Sequence, residues 1–327
     1  MNLVRTVAAL LVATLLFMSA VPVFAQPAFP NRPLRLVLPW PPGTNTDRVT
    51  RILAEKLSQQ LGQPVVVENR AGAAGTIGTA HVAKAVPDGY TMLIASSDTH
   101  AIAPHVQKVQ YDARNDFEPL SLVGRNTFIL LANKSFEPSS VAELVAYAKR
   151  NPNKVSYGTW GVGSSGHLSF ASLESAAGIS MLHVPFQGGA LALNAAMGGQ
   201  IDIVLTSNHL VAQTAFAGKE PRIKLLGIGG TNRVSWLPEA KTFGDYGLPS
   251  SILGGAWYGV VAPAGLNKDV RDRLAREIAT ALTDPRVNTS IVELGWSVDV
   301  TTPAEFKTLI ESEYLQMGRL VAERGIK

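Results

Sequence analysis

Cysteine is absent from all 327 residues, which excludes a structural disulfide, a thiol nucleophile, a cysteine-ligated zinc and a lipid-modified N-terminal cysteine. Stability must come from packing alone. No apolar run beyond Ala25 is long enough to span a bilayer, so the exported chain is expected to be soluble. Charge is sparse as well. The formal net charge is +4 and the basic residues are scattered, without the basic cluster and interleaved aromatics that a nucleic-acid surface needs. The histidines His81, His100, His105, His167, His183 and His209 show no metal-ligand spacing. No metal, no cofactor and no nucleic-acid partner is therefore expected. A nucleophile elbow is also missing, because Gly163-Ser164-Ser165-Gly166 does not fit G-x-S-x-G.

The N-terminus supplies the first positive signal. Arg5 precedes an apolar run over residues 6–20, and Val23-Phe24-Ala25 places small residues at a cleavage position. This is the pattern of a secretory signal peptide over residues 1–25, cut after Ala25. The run is too short, and too soon broken by Pro22, to read as a membrane span.

Beyond it, β-type apolar runs alternate with helical periodicity almost to the end, which predicts an α/β fold with mainly parallel sheets. Strands are expected at 34–38, 65–68, 91–95, 128–132, 154–157, 181–184, 201–205, 224–228 and 256–262. Helices are expected at about 47–61, 76–86, 141–149, 165–177, 191–197 and 207–217, followed by two long ones at 268–282 and 303–324. Asn267 caps the first long helix; Thr302, Pro303 and Glu305 open the second. Two runs of strand-loop-helix units followed by a returning helical segment predict two lobes, 26–123 with 228–327 and 124–227. The crossings between them are expected at 121–125 and 227–233.

Three loops at strand carboxyl ends carry the candidate chemistry, the place where open α/β sheets bind ligands. The first is Pro39-Trp40-Pro41-Pro42-Gly43-Thr44-Asn45-Thr46-Asp47. Its prolines stiffen the entry, Gly43 permits a positive φ, and Thr44, Asn45 and Asp47 place small polar groups at a helix start, where backbone N–H groups attract an anion. Asp47 is expected to cap or orient the loop rather than touch the anion. The second runs from Thr159 and Trp160 through Gly161, Gly163, Ser164 and Ser165 to Gly166. Its G-x-G-x-x-G spacing matches a dinucleotide fingerprint, but the expected ribose-binding acid is replaced by the Pro185-Phe186-Gln187 region. A small anion with bridging waters suits it better. Ser97 and Thr99 lie in the third, hydroxyl-rich loop.

The landmarks Phe29-Pro30-x-Arg32-Pro33, Pro42-Gly43 with Asp47, Leu61-Gly62-Gln63-Pro64-Val65-Val66-Val67-Glu68-Asn69-Arg70 and Pro87-Asp88-Gly89-Tyr90-Thr91 stand in order along the chain. Thr99-His100-Ala101-Ile102, His183-Val184-Pro185-Phe186, Gly198-Gly199-Gln200 and Val261-Ala262-Pro263-Ala264-Gly265 complete the series. With these the chain resembles the Bug family, the periplasmic solute receptors of tripartite tricarboxylate transporters. The resemblance implies a type II periplasmic-binding-protein fold: two α/β lobes joined by two crossover strands, closing on a carboxylate held by the first and second loops, partly through water. It also implies a periplasmic, non-enzymatic receptor, expected to be a monomer, that serves membrane transporter subunits. Thr44 stands where the family usually has a second glycine, Thr206 where many relatives have Asp, and Phe186-Gln187 where Tyr-Lys is common. Trp40 and Trp160 add two indoles that would favour a flat ligand, and Arg125 is a candidate for a second carboxylate. The expected ligand is thus a small carboxylate, with an aromatic dicarboxylate as the sharper version. An exported hydrolase or nucleotide-dependent enzyme using the Gly-rich loop is the alternative.

Overall fold

The computed structural model describes residues 29–207, 221–230, 237–248 and 254–326. The expected signal peptide, its cleavage site, most of the helix expected at 207–217 and His209 lie outside them. Residues 1–31 form one unit, described only at 29–31, where the Phe29–Pro30 bond is cis; residues 32–327 form the other.

The second unit begins with β1 (Leu34–Leu38), α1 (Asn45–Leu61), β2 (Val65–Asn69), α2 (Thr76–Ala83) and β3 (Thr91–Ser96). A turn of π-helix over Asp98–Ile102, the short α3 (Ala103–Val106) and β4 (Phe117–Asn126) follow. Then come β5 (Ile129–Asn133), α4 (Val141–Arg150), β6 (Ser156–Thr159), α5 (Ser165–Ala177), β7 (Leu182–Pro185), α6 (Gly189–Met197), β8 (Ile203–Thr206) and β9 (Ile223–Ile228). The chain closes with β10 (Trp257–Pro263), α7 (Lys268–Thr283), α8 (Pro285–Glu293), β11 (Trp296–Val298) and α9 (Pro303–Arg324).

Local chemistry accounts for the helix ends. In α1 the Thr44 hydroxyl accepts the Asp47 amide, Gly62 stops the helix in the left-handed region, and Val49, Leu53, Leu57 and Leu61 line one buried face at four-residue spacing. α9 opens on a full capping box between Thr302 and Glu305 with Pro303 in the first turn.

The strands form two sheets, in the orders β11-β4-β10-β3-β1-β2 and β7-β6-β8-β5-β9. β1 pairs in parallel with β2 and β3, and β6 with β7 and β8, whereas β10, β4, β11, β5 and β9 enter antiparallel. The expectation of mainly parallel sheets is corrected to mixed sheets. The strands that carry the chain between sheets run against the βαβ strands beside them, and direction leaves no mark in apolar periodicity. β4 stays in the first sheet through Asn126, and β5 begins the second at Ile129, so the chain passes over just after the segment 121–125. Gly227 and Ile228 still pair with β5, and the return to β10 runs through segments that are only partly described.

Where the return meets the outward passage, the Asn126 amide donates to the Ala256 carbonyl at 3.0 Å, and the Ala256 amide donates to Asn126 Oδ1 at 2.7 Å. Gly255, at φ +115°, makes this contact possible: a Cβ there would stand 1.7 Å from the Asn126 carbonyl oxygen.

Each sheet has its own core. Val37, Leu93, Trp257 and Phe306 belong to one cluster, Ile129, Leu131, Leu193 and Val204 to another. Each such fully buried side chain contributes about 1.5–3 kcal/mol. A third cluster, Ile102, Leu168, Met317 and Val321, packs the π-helical turn, α5 and α9 together. That packing places the end of β3 against the start of α5, where the candidate site lies.

Candidate functional site

The first loop is organised by Asp47. One of its oxygens accepts the Gly43 amide at 3.0 Å, both are gripped by the Arg51 guanidinium at 3.0 Å, and Asn69 Nδ2 donates to it at 2.9 Å. Burial opposes its ionisation, but the bonds from Arg51, Asn69 and Gly43 outweigh that and hold the carboxyl below its ordinary range. Asp47 therefore orients the loop as expected, whereas the cap is Thr44. Asn69 also donates to the Trp40 carbonyl at 3.0 Å, and Asn45 Nδ2 to the Leu294 carbonyl at 2.8 Å. Gly43 has φ +80°, the positive value anticipated for it. Asn45 and Thr46 open α1, so their backbone amides have no intrahelical acceptor.

The second loop spends its donors internally. The Gly161 amide donates to Thr159 Oγ1 at 3.3 Å, Gly163 to His167 Nδ1 at 3.1 Å, Ser164 to the Gly161 carbonyl at 3.3 Å and His167 to Ser164 Oγ at 3.3 Å. His167 and His183 stack at 4.0 Å between centroids, and Thr159 Oγ1 lies 2.7 Å from His183 Nε2. The loop is thus pinned by two uncharged imidazoles.

Burial, and then the neighbouring His167, push the His183 pKa down to about 4; burial alone pushes His100 to about 3. In the unfolded chain both titrate near 6.5. Their folded pKa values are depressed, so the stability they contribute is complete above pH 6.5 and is lost as pH falls toward about 4. Asp98, raised by burial, works with the opposite sign. Thermal melts at pH 7 and pH 4.5 should show a fall in Tm on acidification that His183→Gln reduces; equal slopes in the two proteins would contradict this assignment.

The third loop joins the other two. Ser97, Asp98, Thr99 and His100 are all buried, Thr99 Oγ1 lies 2.9 Å from His100 Nδ1, and Tyr111 donates to the Thr99 carbonyl at 2.6 Å. Asp98 Oδ1 accepts the backbone amide of Ser165, the first residue of α5, at 2.6 Å. On the other side, a Cβ on Gly75 would lie 2.8 Å from Thr99 Cγ2 and 3.4 Å from Trp40 Cη2, so the Trp40 ring and Thr99 converge on Gly75. Two polar atoms of this cluster, Trp40 Nε1 and Ser97 Oγ, are buried without a hydrogen-bond partner, and the buried Ser165 hydroxyl has the Asp98 carboxylate beside it. Each unpartnered atom costs about 1–3 kcal/mol.

Of the remaining expected residues, Trp160 stays with this cluster, its side chain bonding the Asp98 carboxylate, and the others fall elsewhere. Trp160 lies over Gly166, whose Cβ would sit 2.7 Å from the ring, and meets Phe128 edge-on at 5.4 Å. Phe186 is half-buried beside Gly158 and donates its amide to the Thr159 carbonyl at 2.9 Å, whereas Gln187 is exposed. Thr206 ends β8, paired with Ile129. Arg125 faces Asp299 and Glu313 at 3.6 Å each, two carboxylates of its own chain. Asp98 and Asn69 were not among the expected site residues. Asp98 had a usable signal, an acid inside the hydroxyl run at a strand's carboxyl end; Asn69 sat in a landmark whose purpose appears only with Trp40 and Asp47 beside it.

Residues 49–326 match the family described as the tripartite tricarboxylate transporter family receptor. A Pseudomonas protein from the tcbD-tcbE intergenic region is 35% identical over 298 residues, 90% of this chain and 87% of that protein. The solved periplasmic binding protein BugD is 33% identical with a TM-score of 0.79, covering 91% of this chain and 99% of BugD. An R. palustris protein solved with adipate is 28% identical with a TM-score of 0.82, covering 91% of this chain and 99% of its own.

Proposed function

The chain belongs to the tripartite tricarboxylate transporter receptor family, and from that premise we propose that it is an exported, periplasmic, non-catalytic receptor for a small carboxylate. The observation that carries the reading is the pair Trp40 Nε1 and Ser97 Oγ, two buried polar atoms without partners just past the carboxyl ends of two strands, with the Ser165 hydroxyl beside Asp98 next to them. A ligand oxygen satisfies such groups and relieves the cost of burying them. The unspent amides of Asn45 and Thr46 at the start of α1 add the positive end of a helix. The R. palustris relative was solved with adipate, a small carboxylate, which supports a ligand of that class.

In this reading the lobes are 26–123 with 228–327, and 124–227. The chain works as a monomer, closes over the ligand and bridging waters, and presents the closed form to membrane transporter subunits. Trp40 supplies the apolar wall, which favours an aromatic carboxylate, and no cofactor is needed. Adipate, malate, benzoate and phthalate in a thermal-shift panel test the proposal. A ligand at a hundred times its Kd stabilises by about 2.7 kcal/mol, a rise of roughly 5–10 °C. If every compound in the panel leaves Tm unmoved at millimolar concentration, the receptor reading fails.

A further inference from the structure

The two helix starts that face the site are in different states. At α1 the first amides, Asn45 and Thr46, have no intrahelical acceptor. At α5 the first amide, Ser165, is already bonded to a carboxylate from the other sheet's side of the molecule, Asp98 Oδ1, at 2.6 Å. Asp98 is 4% exposed, and the cluster of Ile102, Leu168 and Met317 seats its turn against α5. Immediately beside this contact Ser97 Oγ is buried and unpartnered, the Ser165 and Trp160 side chains turn to the Asp98 carboxylate, and Ser97 and Ser165 are both more than nine-tenths buried. The place thus has polar capacity left over at Ser97 but already holds one carboxyl group, whose bond from the Ser165 amide favours its ionised form.

We propose that Asp98 is a resident anion at the start of α5 and sets specificity there: it excludes a second ligand carboxylate and admits a neutral or hydrogen-bond-donating group to Ser97 and Ser165. This rests on the receptor reading above and narrows its ligand class to one carboxylate, received at α1, with a hydroxyl, amide, ester or apolar end toward α5. The physical reason is charge. Two carboxylates sharing one buried position cannot both stay ionised without a large penalty, and the helix end that would stabilise the second is occupied. A hydroxyl, by contrast, can donate to the carboxylate and accept from a serine.

Titration calorimetry with adipate and monomethyl adipate on the wild-type protein and on Asp98→Asn tests this. The amide keeps an oxygen acceptor for the Ser165 N–H and removes only the charge, so the fold is retained. Wild type is expected to prefer the half ester, and Asp98→Asn to shift the adipate to half-ester affinity ratio toward adipate by at least tenfold. A ratio unchanged within twofold overturns the proposal. If neither protein binds either probe, the ligand is not of the adipate class and the proposal is overturned, whereas the receptor reading stands or falls on the thermal-shift panel.

Discussion

Asp47→Ala should lower stability by about 2–3 kcal/mol, lower Tm by roughly 5–10 °C, and reduce carboxylate affinity at least tenfold. The carboxylate is 4% exposed and receives Gly43, Arg51 and Asn69 together. Its removal leaves the Gly43 amide without its acceptor and Asn69 with the Trp40 carbonyl alone, and the cost is the desolvation of those donors more than the ion pair. The Arg51 side chain is 52% exposed, so Arg51→Ala should cost no more than about 1 kcal/mol. The affinity loss follows from position. Asn69 ties Asp47 to the Trp40 carbonyl, and without that tie Trp40 and the start of α1 are no longer held for a ligand. The pH dependence has a definite sign. The folded pKa of Asp47 lies below its unfolded value, so this contribution is complete above about pH 4 and is lost as pH falls through the folded value. Urea melts of both variants check the order, and a loss below about 1 kcal/mol for Asp47→Ala would remove it as the organiser of the loop.

What could be read in advance depended on how local the cause was. β1 was placed to the residue because Leu34, Leu36, Val37 and Leu38 form an apolar run closed by Pro39. The loop 40–47 was readable because Pro, Gly, Thr and Asp act through their own backbone and the next turn. β4 is legible only as the crossing at 121–125 and not as a ten-residue strand, because it contains Pro119 and Gly124, ordinarily strand breakers. The pairing with β10 absorbs them through two register shifts, which only the partner strand can supply. β11 has three residues, too few for a period to register. α8 was readable and overlooked, since Asp284 before Pro285 is a capping signal. At the site, the anion-loop reading of 159–165 stated which residues gather but not who uses their donors. The Ser165 amide goes to a residue 67 positions away, and no spacing rule reaches that far. Arg125 shows the same limit, as a cation at the expected crossing whose two carboxylate partners come from the C-terminal part of the chain.

Trp40→Phe and Trp160→Phe should separate the two indoles by the sign of their effects. Trp40 Nε1 is a buried donor without an acceptor, a group that costs the ligand-free fold about 1–3 kcal/mol. Phenylalanine removes the donor together with the Cη2 edge that faces Gly75; Trp40 is only half-buried, so losing that edge costs less than the stranded donor does, and the ligand-free protein should become more stable. The same change deletes a hydrogen bond to a ligand carboxylate, worth about 1.5–3 kcal/mol, or roughly 10- to 150-fold in Kd. Stability up and affinity down is the mark of a residue strained for binding, because a packing residue loses both or neither. Trp160 should behave as a structural residue, because its side chain already bonds the Asp98 carboxylate of its own chain. Its ring covers Gly166 and meets Phe128 at 5.4 Å, so the smaller ring leaves a gap that costs about 1–3 kcal/mol of stability, with less than threefold change in Kd. Melts and calorimetry on the two variants, using whichever panel carboxylate gives the largest thermal shift, read both signs at once. An unchanged affinity in Trp40→Phe would return Trp40 to the core and leave Ser97 and Ser165 as the groups that receive the ligand.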